Sequence, residues 1–299
     1  MTMNDRSRRW IAGLLLTAMA ALQGCDRKPE PAAQAGAPPA SDTPGAPGLQ
    51  AAFTPITVTH KLGTTMIYRQ PASVVALDMN EEDFLDQLGV PVAGMPKDFV
   101  PHYLARYKDD PAVQDVGAIV APNLERIHAA RPDLILMTSI QANHYPALTE
   151  IAPTLHFDVD FGNSERGHLD VVKDHLTTLG AIFGRQEAAR RQIARLDAKV
   201  EEARRVTQGR AERALIVLHN NGAFSSFGPQ SRYGFVFDAL GVTPASAAIE
   251  AGLHGQPVSS EFIQQANPDI IYIVDRTAVM EHRPVLTAES VSNLSLIHI

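Results

Sequence analysis

The sequence predicts an α/β protein of two similar Rossmann-like lobes, each built on a central parallel sheet, joined by a single long helix. Three observations carry that expectation. Short apolar runs alternate with helical patterns, one segment recurs at a spacing of 136 residues, and an uninterrupted helical stretch lies between the two copies.

At the N-terminus, Arg6, Arg8 and Arg9 precede an apolar run from Trp10 to Leu22 that closes on Leu22-Gln23-Gly24-Cys25. Charge followed by a short apolar core is the layout of a secretory signal, and the run falls short of the about 20 residues that span a bilayer. The closing segment resembles the lipobox of bacterial lipoproteins. That resemblance implies a signal peptide over 1–24, lipidation of Cys25, and a chain anchored to the membrane in the periplasm or cell envelope. Cys25 is the only cysteine, so none is left for a disulfide or a structural zinc site.

The formal net charge is −7, and residues 1–24 contribute Arg6, Arg8 and Arg9 against Asp5, which leaves −9 on the remainder. An acidic exterior of this kind disfavours nucleic acid and anionic lipid as partners. From 25 to 52 the composition narrows to Pro, Ala, Gly and small polar residues without apolar period, which predicts a tether.

Folding is expected to begin near Phe53. Ile56–His60 and Thr65–Tyr68 alternate about Leu62-Gly63 and read as an opening hairpin, and Val74–Leu77, Leu134–Met137, Leu215–Leu218 and Ile270–Val274 read as buried parallel strands. In the repeat, Leu124 to Met137 falls on Ser260 to Ile273, each copy a short helix, a Pro-Asp turn and a strand. A second echo aligns Asp86-Gln87-Leu88-Gly89-Val90 with Asp238-Ala239-Leu240-Gly241-Val242, glycine closing a helix in both. From Glu187 to about Val206, Ile193, Leu196, Val200 and Ala203 recur at helical spacing, and some 20 residues reach roughly 30 Å. These boundaries predict an N-terminal lobe over 53–165, a helical connection over 166–208 and a C-terminal lobe over 209–299.

The chain resembles the iron-siderophore and cobalamin binding proteins of ABC importers, and among them the lipoproteins that bind catecholate siderophores such as petrobactin. The segments that carry the resemblance are Ala223 to Gly234 (AFSSFGPQSRYG), Gly252-Leu253-His254-Gly255 and Ile273-Val274-Asp275-Arg276. It implies a ligand cleft between the lobes, with Arg232 and Arg276 as ligand-binding groups and His254 as a residue able to reach siderophore-bound iron. Guanidinium forks suit the oxygens of a ferric catecholate anion. Read from the residues alone, Arg276 also suits a surface ion pair, Arg232 a helix cap and His254 an ordinary surface loop. The repeat sets Ile140 opposite Arg276, at a position where the resemblance implies a third arginine. Gln141, Asn143 and Tyr145 follow as uncharged candidates for contact with the ligand.

Glu125 and Glu261 hold equivalent first-turn positions in the repeat copies. The resemblance implies docking to an inner-membrane permease there, while the helix dipole alone accounts for such carboxylates. Relatives continue beyond the last residue here through a section that holds a tyrosine partner for His254, so a truncated C-terminal lobe is expected. The expected ligand is a ferric siderophore, with no intrinsic cofactor and a monomeric chain.

Rival readings are haem or cobalamin capture by the same fold, an envelope enzyme, or a scaffolding lipoprotein. No Gly-x-Ser-x-Gly, His-Glu-x-x-His or Gly-x-x-x-x-Gly-Lys motif occurs, and His219-Asn220-Asn221-Gly222 shows no neighbouring carboxylate in sequence to form a dyad.

Overall fold

The computed structural model describes residues 53–158, 167–246 and 255–281, with Ile249 and Leu286. The expected signal peptide, Cys25, the tether to residue 52, His254 and the last residues of the chain lie outside them.

The first lobe opens with β1 (Ile56–His60) and β2 (Gly63–Ile67), an antiparallel hairpin. The chain continues through β3 (Val74–Ala76), α1 (Met79–Leu88), β4 (Gly94–Met95), the short α2 (Ala105–Lys108), β5 (Gln114–Asp115), and a small ribbon of β6 (Gly117–Ala118) and β7 (Ala121–Pro122). It closes with α3 (Leu124–Ala129), β8 (Leu134–Met137), α4 (Tyr145–Ile151) and β9 (Thr154–His156). Strands β5-β4-β3-β8-β9 form one sheet in that order, parallel throughout. Both faces are covered, as all-parallel sheets require. Val74, Ala76, Leu134 and Leu136 pack to one side, and Val75, Leu77, Ile135 and Met137 to the other.

Two helices follow, α5 (His168–Ile182) and α6 (Gln186–Thr207), turning at Gly184 with φ +64°. They cross closely at Gly180, where a Cβ would stand 2.7 Å from the Ala189 methyl. The expected long helix is therefore present, 22 residues and about 33 Å long. Its early turns bond lobe 1 through Gln192 Nε2 to the Gln87 carbonyl (3.3 Å), and its last turns bond lobe 2 through Arg204 Nε to the Ala239 carbonyl (2.5 Å). Gln87 and Ala239 are equivalent residues of the second echo. The helix thus caps the same free carbonyl, at the end of the same kind of helix, in both lobes.

Lobe 2 comprises β10 (Arg213–Asn220), β11 (Ala223–Phe227), α7 (Phe235–Asp238), β12 (Thr243–Pro244), β13 (Gln256–Pro257), α8 (Ser260–Ala266), β14 (Ile270–Asp275) and α9 (Arg276–Glu281). The strands at Leu134 and Ile270 lie in separate sheets, as two lobes demand. The second sheet is mixed, which departs from the parallel one expected: β12 and β14 run parallel to β10, while β11 runs antiparallel to it and pairs in turn with β13. The cause is local. Asn221 (φ +49°) and Gly222 (φ +79°) both take left-handed conformations, as the two-residue reverse turn of a tight hairpin requires. Among the described residues no helix is long and apolar enough to cross a membrane.

Candidate functional site

Loops at the carboxyl ends of a parallel sheet are where α/β folds gather ligands. In lobe 1 those loops are locked together by Gln141. Its Oε1 accepts the Thr138 N–H at 2.9 Å, and its Nε2 donates to the carbonyls of Leu77 (3.0 Å) and Ile119 (2.9 Å). Gln141 is fully buried with both ends of its amide engaged, so the expectation that it contacts a ligand is corrected: it braces three loops. Tyr145 packs its ring edge-on against His60 of the opening hairpin, 5.7 Å between centroids, a structural contact. Asn143 is exposed.

The braced rim presents apolar side chains. Ile140 is 55% exposed in the turn after β8, and Phe99 and Val120 stand exposed on the loops after β4 and β6. Asp98 Oδ2 accepts the Ile119 N–H at 3.4 Å, tying the loop of Phe99 to that of Val120. Sequence reasoning marked Ile140 as a lost charge and missed Phe99 and Val120. Their only signal in the sequence is that each follows a short strand.

Behind this rim lie buried acids. Asp78 caps α1 by accepting the Asn80 N–H at 3.0 Å, and Glu81 and Glu82 fill the first turn with their side chains buried. Burial pushes Glu81 well above the ordinary carboxylate range, and the nearby carboxyls of Asp78 and Asp158 add to the shift. Asp78 is raised by burial and by Asp158, against a backbone hydrogen bond that lowers it. Burial raises Glu82 to about 7 against the pull of Arg106. On α5, burial lowers His175 to about 4. A cavity of about 140 Å³ opens among these groups, lined by Glu81, Asp158 and His175 together with Phe84 and Phe157. His168, also on its wall, lies 5.3 Å ring to ring from Phe235 of α7, so this side of lobe 1 borders lobe 2.

In lobe 2, Arg276 follows directly on β14 and donates to Asn220 Oδ1 at 3.0 Å across the end of β10. It stands exposed at the carboxyl end of its strand, as expected. Arg232 lies beyond the hairpin, because the chain returns along β11 before reaching it. Its guanidinium lies over the Phe227 ring, 5.5 Å from the centroid. The same ring is touched by Gly255, where φ is +72° and a Cβ would come within 2.7 Å of the ring carbons. Arg232 and the glycine next to His254 therefore meet on one aromatic side chain. The Asn-Gly dipeptide was the signal for this hairpin.

The expectation that no carboxylate accompanies His219 is also corrected. The parallel register sets His219 beside Asp275, with Nδ1 2.8 Å from Oδ1. Nε2 accepts the Gly222 N–H at 3.1 Å, which leaves Nδ1 to donate to Asp275. Burial pushes the Asp275 carboxyl up, but hydrogen bonds from His219 and the Ala278 N–H outweigh it and hold the group below its ordinary value. With both ring nitrogens engaged, the pair fastens the hairpin turn to the start of α9.

Glu125 and Glu261 are exposed in the first turns of α3 and α8. These helices are capped by Asn123 (3.0 Å to the Arg126 N–H) and Ser259 (3.3 Å to the Phe262 N–H). Among the described residues no group of three or more His, Cys, Asp or Glu side chains is placed to hold a metal ion.

Two sheets with one helix bonded to both, and a rim of loops at the strand ends, define a two-lobed binding protein. The chain belongs to the periplasmic binding protein family, whose model matches residues 74–289. It is 59% identical over 245 residues, 82% of this chain and 76% of the relative, to the ferric-anguibactin-binding protein FatB of Vibrio anguillarum. It is 36% identical over 231 residues, 76% of this chain and 71% of the relative, to the petrobactin-binding protein YclQ of Bacillus subtilis. Among solved structures it resembles the siderophore-binding protein BauB bound to a complex of two acinetobactin molecules and ferric iron. That likeness has a TM-score of 0.74 and 60% identity, and covers 79% of this chain and 82% of BauB.

Proposed function

We propose that this protein captures a ferric siderophore between its lobes and delivers it to the permease of an ABC importer. The observation that carries the reading is the pair of arginines on lobe 2, Arg276 at the end of β14 and Arg232 over Phe227, in a chain whose relatives bind ferric anguibactin, petrobactin and a ferric acinetobactin complex. Guanidinium groups pair in a plane with catecholate or hydroxamate oxygens. The facing rim, with Phe99, Val120 and Ile140, offers apolar surface, so the preferred complex is less anionic than a tris-catecholate. His254 serves as an iron ligand where the siderophore leaves a coordination site open.

In this reading Cys25 carries the lipid anchor, 25–52 is the tether, and Glu125 and Glu261 meet the permease as the chain acts as a monomer outside the inner membrane. The protein is not an enzyme. Trp10, the sole tryptophan, falls in the expected signal, so tyrosine fluorescence is the reporter. Titration of the chain from Cys25 onward with a panel of ferric siderophores should give saturable quenching by a catecholate or mixed-ligand complex. No response to any ferric complex would sink the proposal.

A further inference from the structure

We propose that the cavity at Glu81 is a subsite for a protonated amine carried by the iron-bound ligand, an inference that rests on the siderophore reading. Glu81 is 1% exposed, lines the cavity, and has Oε2 without a hydrogen-bond partner. A buried carboxyl with an open acceptor is costly until something donates to it. Asp158 lines the same cavity, and Asp78 lies close enough to raise the Glu81 carboxyl. Among the described residues, no lysine or arginine lines it. The two imidazoles on its α5 side, His168 and His175, are both lowered by burial and so add little positive charge.

The remaining walls suit the same guest. Phe84 and Phe157 present aromatic rings, which attract cations, and Asn80 and Thr138 supply polar atoms that can accept. At about 140 Å³ the space is close to that which holds a single six-membered ring, so a compact alkylammonium or small cyclic amine fits and a whole chelate does not. Its position behind the lobe 1 rim, with His168 against Phe235 of lobe 2, lets an arm of a ligand held at the cleft enter it. The ligand implied has two ends of opposite character. Its chelating oxygens meet the arginines of lobe 2, and its cationic arm meets the acids of lobe 1.

The test uses two synthetic ferric 2,3-dihydroxybenzoyl complexes that differ in one arm, a primary amine in the first and its acetamide in the second. The chain from Cys25 onward should bind the amine probe at least about tenfold more tightly, the worth of one charge-assisted hydrogen bond. Glu81→Gln should bring that ratio to within about twofold, the level at which no charge-assisted bond remains. Asp158→Asn, at a less buried position, should also reduce it and carries the test if Glu81→Gln fails to fold. Equal binding of the two probes by the unaltered chain, or a preference that survives in both variants, overturns the subsite and leaves siderophore capture standing. Binding of neither probe, with no other ferric siderophore bound, overturns both.

Discussion

Lobe 1 and lobe 2 share a capped helix, a Pro-Asp turn and a strand, yet the two copies are set in different surroundings. Strand β8 lies between β3 and β9 with every residue buried, whereas β14 pairs, among the described residues, with β10 alone and leaves Ile270 and Tyr272 exposed. At the strand ends the contrast is one of charge. Lobe 1 presents Ile140, Phe99 and Val120 over a buried group of acids; lobe 2 presents Arg276 next to the His219–Asp275 pair, with Arg232 over the Phe227 ring. The repeated helix, turn and strand therefore end on an apolar wall after β8, at Ile140, and on a cationic one after β14, at Arg276.

The sharpest way to probe the contrast is the buried acid Glu82, whose two carboxyl oxygens have no hydrogen-bond partner. Its folded pKa of about 7 lies above the ordinary 4.5, so the unfolded chain gives up this proton first and stability falls as pH rises from 4.5 to 7. The loss is on the order of 3 kcal/mol. His175 acts with the opposite sign: a folded value of about 4 against 6.5 means stability is lost as pH falls between those limits. Denaturant titrations at pH 5 and pH 8 should show Glu82→Gln gaining stability over the unaltered chain at the higher pH. An unchanged difference between the two pH values would remove Glu82 from the account. Lobe 2 has no buried Asp or Glu among the described residues, so the alkaline part of this dependence belongs to lobe 1.

Exchanging charge between the walls comes next. Arg276→Ala or Arg232→Ala should each weaken a ferric catecholate by about 1.5 to 3 kcal/mol, the usual worth of a charged hydrogen bond. Ile140→Arg should make lobe 1 resemble lobe 2 and strengthen the more anionic complexes. Fluorescence titration reads all three. Unchanged affinity in both alanine variants would break the assignment of the cationic wall.

The smallest expected effect tests the likeness itself. Asn123→Ala and Ser259→Ala remove equivalent caps, each accepting one backbone N–H, and should each cost about 1 kcal/mol. Thermal unfolding of the two variants measures the pair. A several-fold difference between them would mean that the surroundings, rather than the shared motif, set the stability of each copy.

Much of this architecture was legible in the chain because it depends on local pattern. Apolar runs bounded by turn residues mark β3, β8, β10 and β14, Gly89 and Gly241 close their helices with φ of +65° and +74°, and the helical period from Glu187 to Val206 matches α6 to within one residue at each end. The hairpin at Asn221-Gly222 had a local signal too, since an Asn-Gly pair between two apolar runs marks a tight turn. Gln141 could not be placed in this way. A glutamine one residue past an exposed isoleucine looks like surface, and only the approach of Leu77 and Ile119 from other loops buries it.

The sequence by itself determined the two-lobed α/β plan and the repeat, since periodicity and turn chemistry act over a few neighbours. Tertiary structure alone decided what meets across distance. Parallel register set Asp275 beside His219, loop packing turned Gln141 inward, and the convergence of α1, β9 and α5 left Glu81 facing a cavity with an acceptor unmet. Burial and pairing depend on residues brought together from far along the chain, and no local pattern records which ones arrive.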